Sequence, residues 1–188
     1  MGRLIYSLSV SQDGYAADAA GSLDWVTVDE ELHTAFNDET RGVRAMLFGR
    51  RMYEVMAAYW PTALDDPDAT PAMLDFARLW KAIPKLVVST TLERVHRDCR
   101  LAGGDALAAA AALRAEPGDA SVGGPTLAGA LLRAGLVDEI RQYVNPVILG
   151  GGLPFLPRLE APLRTRLIET RTFSSGVVLL RHEVAGTR

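Results

Sequence analysis

The sequence has only one cysteine, Cys99, among 188 residues, which excludes an intrachain disulfide and a zinc site built on cysteines. No apolar run approaches the roughly 20 residues that a membrane-spanning helix needs, and the first residues lack the apolar centre of a signal peptide. Lys and Arg are not concentrated in any segment and the net charge is -3, which disfavours nucleic acid and anionic membranes as partners. We therefore expect a cytoplasmic protein.

The length and composition of the chain suit one globular domain spanning residues 1–188. A domain of this size buries roughly 70% of the surface that its unfolded chain exposes, so it needs no disulfide or metal to hold it together. Hydrophobic residues make up 48% of the chain and charged residues 23%, as in ordinary globular proteins. We see no internal repeat and no sign of a second domain.

Strand and helix patterns alternate along most of the chain and then give way to strands alone. The predicted strands are RLIYSLSV, RAMLFG, KLVVST and DASV, and helices are predicted over 29–42, 50–60, 72–83, 104–118 and 126–136. A long strand over 138–152 follows, and residues 163–173 and 176–184 form an antiparallel hairpin. This order predicts a three-layer α/β fold whose central sheet is mostly parallel, with a C-terminal antiparallel hairpin.

The segment SVGGPTL contains two glycines, Gly123 and Gly124, between a predicted strand and a predicted helix. The first N–H groups of a helix are unpaired and carry partial positive charge, so such a junction can bind an anion. Glycines allow a ligand to approach the backbone closely, and Pro125 suits the first helical turn. A tight turn without a ligand is the alternative.

Two further strand ends carry groups that are compatible with an anion. LFGRRMYE brings Arg50 and Arg51 to a helix start, where cations are unfavourable unless an anion neutralises them. LVVSTTL presents the hydroxyl groups of Ser89 and Thr90 at another strand end. The alternatives are an exposed arginine pair in the first case and a helix cap or turn in the second. Together with the glycine pair, these strand ends favour a dinucleotide with several phosphates.

These segments carry a family resemblance. SVSQDGYAA, LFGRRMYE, KLVVST, SVGGPTL and NPVILGGGLPF occur in the order typical of the dihydrofolate-reductase-like fold. The chain more closely resembles the reductase domain of bacterial riboflavin biosynthesis and its stand-alone relatives, over residues 3 to 184. The resemblance implies an NADPH-dependent reductase that acts on a small molecule, and a homodimer.

The resemblance also implies roles for individual residues at the cofactor. Gly49, Arg50 and Arg51 would hold the phosphates on the adenosine side, and Ser89 and Thr90 would lie near the 2′-phosphate, which favours NADPH over NADH. The pyrophosphate would lie against Gly123, Gly124 and Thr126, and the nicotinamide near Ser9 and Ala16. Met52 replaces a hydroxyl residue that dihydrofolate reductases commonly have at this position.

The resemblance is less specific about the residues that bind the substrate than about those that bind the cofactor. Dihydrofolate reductases hold the pterin with a carboxylate of the first helix, and here Asp29, Glu30 and Glu31 compete for that role. Spacing from Trp25 favours Glu30 as the catalytic acid, whereas spacing back from Phe36 reaches Leu32, which could not serve. An acidic first turn that merely stabilises its helix is the alternative.

Tyr143 occupies a strand position that faces the substrate in the family. Alternation places it on one face of its strand with Arg141 and Asn145, and an exposed polar strand is the other interpretation. The glycine-rich segment 148–157 lacks the strand-to-helix context of a dinucleotide fingerprint, so we interpret it as a turn region, at a dimer contact.

The expected reaction is hydride transfer from NADPH to a carbonyl, imine or C=N group of a small heterocycle. The resemblance favours a ribosylamino-pyrimidine as substrate, with dihydrofolate second, and no metal is expected. A nucleotide-binding module of the same fold without catalytic activity is the alternative from another class.

Overall fold

The computed structural model describes residues 1–186, which contain ten strands and five α-helices. The strands are β1 (Leu4–Ser11), β2 (Tyr15–Ala17), β3 (Val43–Gly49), β4 (Lys85–Val88), β5 (Cys99–Leu101), β6 (Asp119–Gly123), β7 (Glu139–Asn145), β8 (Leu153–Pro154), β9 (Thr165–Thr172) and β10 (Val178–Val184). The helices are α1 (Glu30–Arg41), α2 (Arg50–Ala57), α3 (Pro71–Ala82), α4 (Ala106–Ala115) and α5 (Pro125–Arg133).

Eight strands form one sheet in the order β5-β4-β3-β6-β1-β7-β10-β9. The first six run parallel to one another, and β10 and β9 are antiparallel, joined by a turn at residues 173–177. The prediction of a mostly parallel sheet with a C-terminal antiparallel hairpin is therefore confirmed.

Helices cover both faces of this sheet and create the three layers. On one face, Ala110 of α4 and Leu131 of α5 pack against Tyr6 and Leu47 of the sheet in the largest apolar cluster. On the other face, α1 contributes Leu32 to a cluster around β7 and β10, and α2 and α3 enclose a second cluster around β3 and β4. Successive residues of a strand point to opposite faces of the sheet and therefore pack in different apolar clusters.

Three short strands escaped the sequence analysis. β5 has only three residues, and β2 pairs with the two residues of β8 in a small separate sheet. Such strands depend on a partner distant in sequence, so local patterns cannot predict them. The predicted long strand over 138–152 is also too long: β7 ends at Asn145, because Pro146 has no N–H group to continue the sheet.

No helix within residues 1–186 is both long enough and apolar enough to cross a membrane.

Candidate functional site

The predicted cofactor residues follow four strands that are neighbours in the sheet. Ser89 follows β4, Gly49 ends β3, Gly123 ends β6, and Ser9 lies near the end of β1. The sheet order places these four strands side by side, with Gly49 opposite Val88 and Phe48 opposite Gly123. Because neighbouring strands are about 4.8 Å apart, the row spans about 14 Å. Residues distant in sequence thus form one continuous edge.

The starts of the five helices fall into two groups. Three helices begin with a side-chain cap: Asp29 accepts from Leu32 N in α1, Thr70 from Met73 N in α3, and Asp105 from Ala108 N in α4. The remaining two, α2 and α5, begin at Gly49 and Gly124, and no side chain within residues 1–186 caps them. Both uncapped starts belong to the row of strand ends.

These two uncapped helix starts lie next to each other. A Cβ atom at Gly49 would be 3.5 Å from Cβ of Leu127 in α5, and one at Gly124 would be 3.3 Å from Cβ of Met52 in α2. Their unpaired N–H groups and the positive ends of their helix dipoles therefore act on the same region of the protein. This is an environment suited to a phosphate group.

Packing supplies a second reason for the glycine pair, beyond the approach of a ligand. A Cβ atom at Gly123 would lie 2.4 Å from Cδ1 of the Phe48 ring on the neighbouring strand. Gly124 has φ of +100°, a conformation that other residues rarely adopt. The pair is therefore required by the fold itself, and both glycines are buried.

Arg50 and Arg51 are exposed at the start of α2. Arg50 lies 3.9 Å from a carboxylate oxygen of Glu54, a loose pair between two half-exposed side chains. Within residues 1–186, the side chain of Arg51 makes no hydrogen bond or ion pair. A guanidinium without a partner at the positive end of a helix is unfavourable by itself and is suited to an anionic ligand.

Ser89 caps a turn, as the alternative interpretation held. Its Oγ accepts hydrogen bonds from Thr91 N at 3.1 Å and Leu92 N at 3.0 Å, and it also lies 3.4 Å from Thr91 Oγ1, so the hydroxyl is already engaged in the turn. Thr90 is exposed and contacts the turn after β5, because a Cβ atom at Gly104 would be 2.3 Å from Cγ2 of Thr90.

This turn was not predicted from the sequence. LAGGDAL, residues 101–107, carries the same signal as SVGGPTL, a glycine pair between a strand and a helix, but the three-residue strand Cys99–Leu101 was not recognised.

The other predicted cofactor residues lie around the same edge. Ser9 is half-buried near the end of β1, and Thr126 is exposed in the first turn of α5. Ala16 is buried in β2, which pairs with β8 beside the end of β1. These assignments stay predictions.

Each acidic residue at the start of α1 holds another part of the fold. Asp29 caps α1, and Oε1 of Glu30 accepts from Ala72 N at 3.1 Å at the start of α3. Glu31 accepts from the backbone N–H and the hydroxyl of Ser174 and pairs with Arg171, and these contacts lower its pKa to about 2. Leu32 is fully buried. The assignment of Glu30 as catalytic acid stays a prediction, and its carboxylate is already engaged.

Tyr143 lies opposite Ser9 in the sheet but is fully buried beneath α1, with its ring centroid 4.5 Å from that of Phe36. Burial and then the nearby charge of Glu39 raise the pKa of its hydroxyl. Arg141 and Asn145 are also buried, so the alternative of an exposed polar strand is wrong. Tyr143 does not face the strand-end row; it is one of the residues that line a cavity between α1 and the β9–β10 hairpin.

A cavity of about 450 Å³ opens at the other end of the sheet, between α1 and the β9–β10 hairpin. Its walls are charged, but the charges are paired with one another. The carboxylate of Glu139, only 2% exposed, accepts from Arg3, Arg141 and Arg181 at 2.9, 2.6 and 2.9 Å. This internal pairing makes the cavity a weaker candidate for a ligand site than the strand-end row.

The fold and the row of strand ends define a dihydrofolate-reductase-like α/β protein. Dihydrofolate reductase from Enterococcus faecalis has the same fold, with a TM-score of 0.65 over 98% of both chains at 12% identity. More narrowly, the chain belongs to the RibD C-terminal domain family, whose model matches residues 3–179.

Individual proteins are similar to this chain over nearly its whole length. The uncharacterized protein YyaP of Bacillus subtilis (strain 168) is 30% identical over 181 residues, which cover 94% of this chain and 92% of YyaP. A crystal structure of a protein assigned to riboflavin biosynthesis, from Shewanella sp. PV-4, superposes with a TM-score of 0.76 over 99% of this chain and all of that chain, at 23% identity.

Proposed function

We propose that the chain acts as a single-domain, NADPH-dependent reductase that transfers a hydride to a small heterocyclic substrate of the ribosylamino-pyrimidine type. Membership of the RibD C-terminal domain family supports a reductase related to riboflavin biosynthesis. The observation that carries the proposal is the row of four adjacent strand ends, which offers two uncapped helix starts and one unpaired arginine.

The residues of this row fit an extended, phosphate-rich dinucleotide. The start of α5, at Gly124 and Thr126, would hold the pyrophosphate through backbone N–H groups. Arg51 and Thr90 would hold the 2′-phosphate, since a guanidinium matches a phosphate in charge and geometry. Ser9 and Ala16 would border the nicotinamide, which supplies the hydride when bound. The role of the protein is then to orient both reactants and to exclude water.

Calorimetric titration of the purified protein with NADPH, and separately with NADH, tests the cofactor assignment. We expect NADPH to bind at micromolar levels and NADH much more weakly. No binding of NADPH at near-millimolar levels would reject the proposal. NADPH oxidation is then measured with a panel of ribosylamino-pyrimidines and pteridines. If the protein binds NADPH but oxidises it with none of these compounds, the alternative of a non-catalytic nucleotide-binding module is favoured.

The dihydrofolate alternative gains no support from α1. Its three first-turn acids hold α1, α3 and the segment around Ser174, and the position reached by spacing from Phe36 is the buried Leu32. Within residues 1–186, none of these three carboxylates has both oxygens free to hold a pterin. We accordingly expect the pyrimidines of the panel to be reduced faster than dihydrofolate.

We also propose that the protein forms a homodimer through β9. Within residues 1–186 this strand pairs only with β10, so one edge of its backbone is free, and its side chains Leu167 and Ile168 are 50% and 38% exposed. Light scattering coupled to size exclusion should give a dimer for the native chain and a monomer for Ile168→Lys. Leu107→Lys, which changes an exposed leucine on α4, is the matched control and should remain dimeric.

A further inference from the structure

The loop after β1 and the loop after β7 are joined along their length. Gln12 N donates to Val147 O at 2.8 Å, and Phe155 N donates to Gly14 O at 2.9 Å. Next to the second of these bonds, β2 pairs with β8. The two loops thus form one unit at the carboxyl ends of β1 and β7, at the end of the strand-end row where Ser9 and Ala16 lie.

The carboxylate of Asp13 is the side-chain link within this unit. Its Oδ1 accepts from Ser11 Oγ at 2.7 Å and from Leu149 N at 3.1 Å, and its Oδ2 accepts from Gly150 N at 2.7 Å. The hydrogen bond from Ser11, assisted by the backbone N–H groups of Leu149 and Gly150, lowers the pKa of Asp13. One carboxylate therefore bridges both loops in its charged form.

The geometry of the second loop depends on close approach to the first. Gly152 has φ of +143°, and a Cβ atom there would be 2.1 Å from the carbonyl oxygen of Ala17. At the far end, Phe155 stacks on Tyr6 of β1 with ring centroids 4.5 Å apart, and the Tyr6 hydroxyl donates to Phe155 O. The loop unit is thus anchored rigidly at Phe155, whereas at its other end Asp13 supplies the only side-chain bridge seen within residues 1–186.

We infer that Asp13 is a positioning residue for the nicotinamide end of the cofactor. It acts through the backbone N–H groups of Leu149 and Gly150, which fix the path of residues 12–17 and so the position of Ala16. This inference rests on the proposed function, because it needs a nicotinamide beside Ser9 and Ala16. Asp13 itself takes no part in hydride transfer.

The test compares a whole cofactor with half of one. NADPH reaches from the adenosine end to the nicotinamide end, whereas 2′,5′-ADP has only the adenosine phosphates. In Asp13→Asn an amide group replaces the oxygen that accepts from Gly150 N, so one charge-assisted hydrogen bond is lost. We expect NADPH to bind ~10-fold more weakly, the equivalent of one such bond, and 2′,5′-ADP to bind unchanged. Hydrogen exchange at residues 147–152 should become faster.

Two further variants make the result specific. Asp24→Asn is the matched control, since it makes the same chemical change in the segment that follows, at an exposed side chain. It should leave both affinities and the exchange unchanged. Asp13→Glu keeps the charge but displaces the carboxylate by one methylene group, and we expect a smaller loss of NADPH affinity than with Asn. If Asp13→Asn fails to fold, Asp13→Glu carries the same comparison of the two ligands.

The outcomes separate this inference from the proposed function. A native protein that binds neither NADPH nor 2′,5′-ADP overturns both. If the native protein binds both ligands, and the Asp13 variants lower both affinities equally or lower neither, only the role of Asp13 is overturned.

Discussion

Charged groups are paired with one another at one end of the central sheet and left unpaired at the other. At the amino ends of β1 and β7, Glu139 is buried and its carboxylate accepts from three arginines, so that positive and negative groups compensate each other within the protein. At the carboxyl ends of β3 and β6, two helices start without side-chain caps and Arg51 has no partner within residues 1–186. Positive potential is left uncompensated there.

This difference separates stability from binding. Charges that are paired inside the protein support the fold, because removal of one partner leaves the others buried and unpaired. A helix start with glycine in place of Ser, Thr or Asp loses only about a few tenths of a kcal/mol of stability, but it leaves its first N–H groups without a side-chain acceptor. Two such helix starts side by side, while the other three helices are capped, indicate a region shaped for a ligand.

The largest expected effect is a loss of stability at the amino ends of β1 and β7, where the charges are paired. Glu139→Gln removes the charge shared by Arg3, Arg141 and Arg181, and should lower the free energy of unfolding by about 3 kcal/mol. Urea denaturation measures this loss, and NADPH affinity should hardly change. Glu183→Gln is the control, since Glu183 pairs with Arg166 on the surface and should contribute at most about 1 kcal/mol. Equal losses in both variants would contradict a special role for the buried carboxylate.

The double change Arg50→Ala and Arg51→Ala should show the reverse pattern at the other end. We expect NADPH affinity to fall ~30-fold, about 2 kcal/mol, because charge-assisted bonds to the 2′-phosphate are lost. NADH affinity and the melting temperature should remain nearly unchanged. Calorimetric titration of both cofactors is the measurement. Equal weakening of NADPH and NADH would refute the assignment of these arginines to the 2′-phosphate.

Gly123→Ala tests whether packing or the ligand requires the first glycine of the pair. The added methyl group meets the Phe48 ring, and we expect a loss of about 1.5 kcal/mol in the free energy of unfolding. Adding Phe48→Leu should recover much of this stability by making room. If the double variant regains stability but still binds NADPH weakly, the ligand also requires the glycine. Unchanged stability in Gly123→Ala alone would contradict the packing argument.

The smallest expected effect is the pH dependence of the compensated end. Burial opposes the charged form of Glu139, but hydrogen bonds from Arg181 and Arg141 outweigh burial and hold its pKa below the ordinary 4.5. The resulting stability is complete above pH 4.5 and is lost as pH falls towards the depressed pKa. The stability difference between the native chain and Glu139→Gln should therefore narrow between pH 5 and pH 3.5. Urea denaturation at both pH values measures it, and a constant difference would contradict the lowered pKa.

Local patterns were sufficient for most of the fold. The strand over RAMLFG and the helix over 72–83 are close to β3 and α3, because apolar periodicity reflects which face of an element is buried. The short strands β2, β5 and β8 escaped prediction, since their existence depends on partners brought near by the fold. The same limit applies to Asp13, which bridges to residues more than a hundred positions away.

For the candidate site, the sequence by itself determined which segments carry anion-binding groups: the glycine junctions, the arginine pair and the hydroxyl pair. These are properties of short stretches, and helix starts and side-chain chemistry can be recognised locally. Only the tertiary structure decided that these three segments lie side by side, that Glu30 accepts a hydrogen bond from the start of α3, and that Tyr143 is buried under α1. These facts depend on strand order and on packing between distant elements, and the strand order follows from the total burial of apolar surface rather than from any one segment.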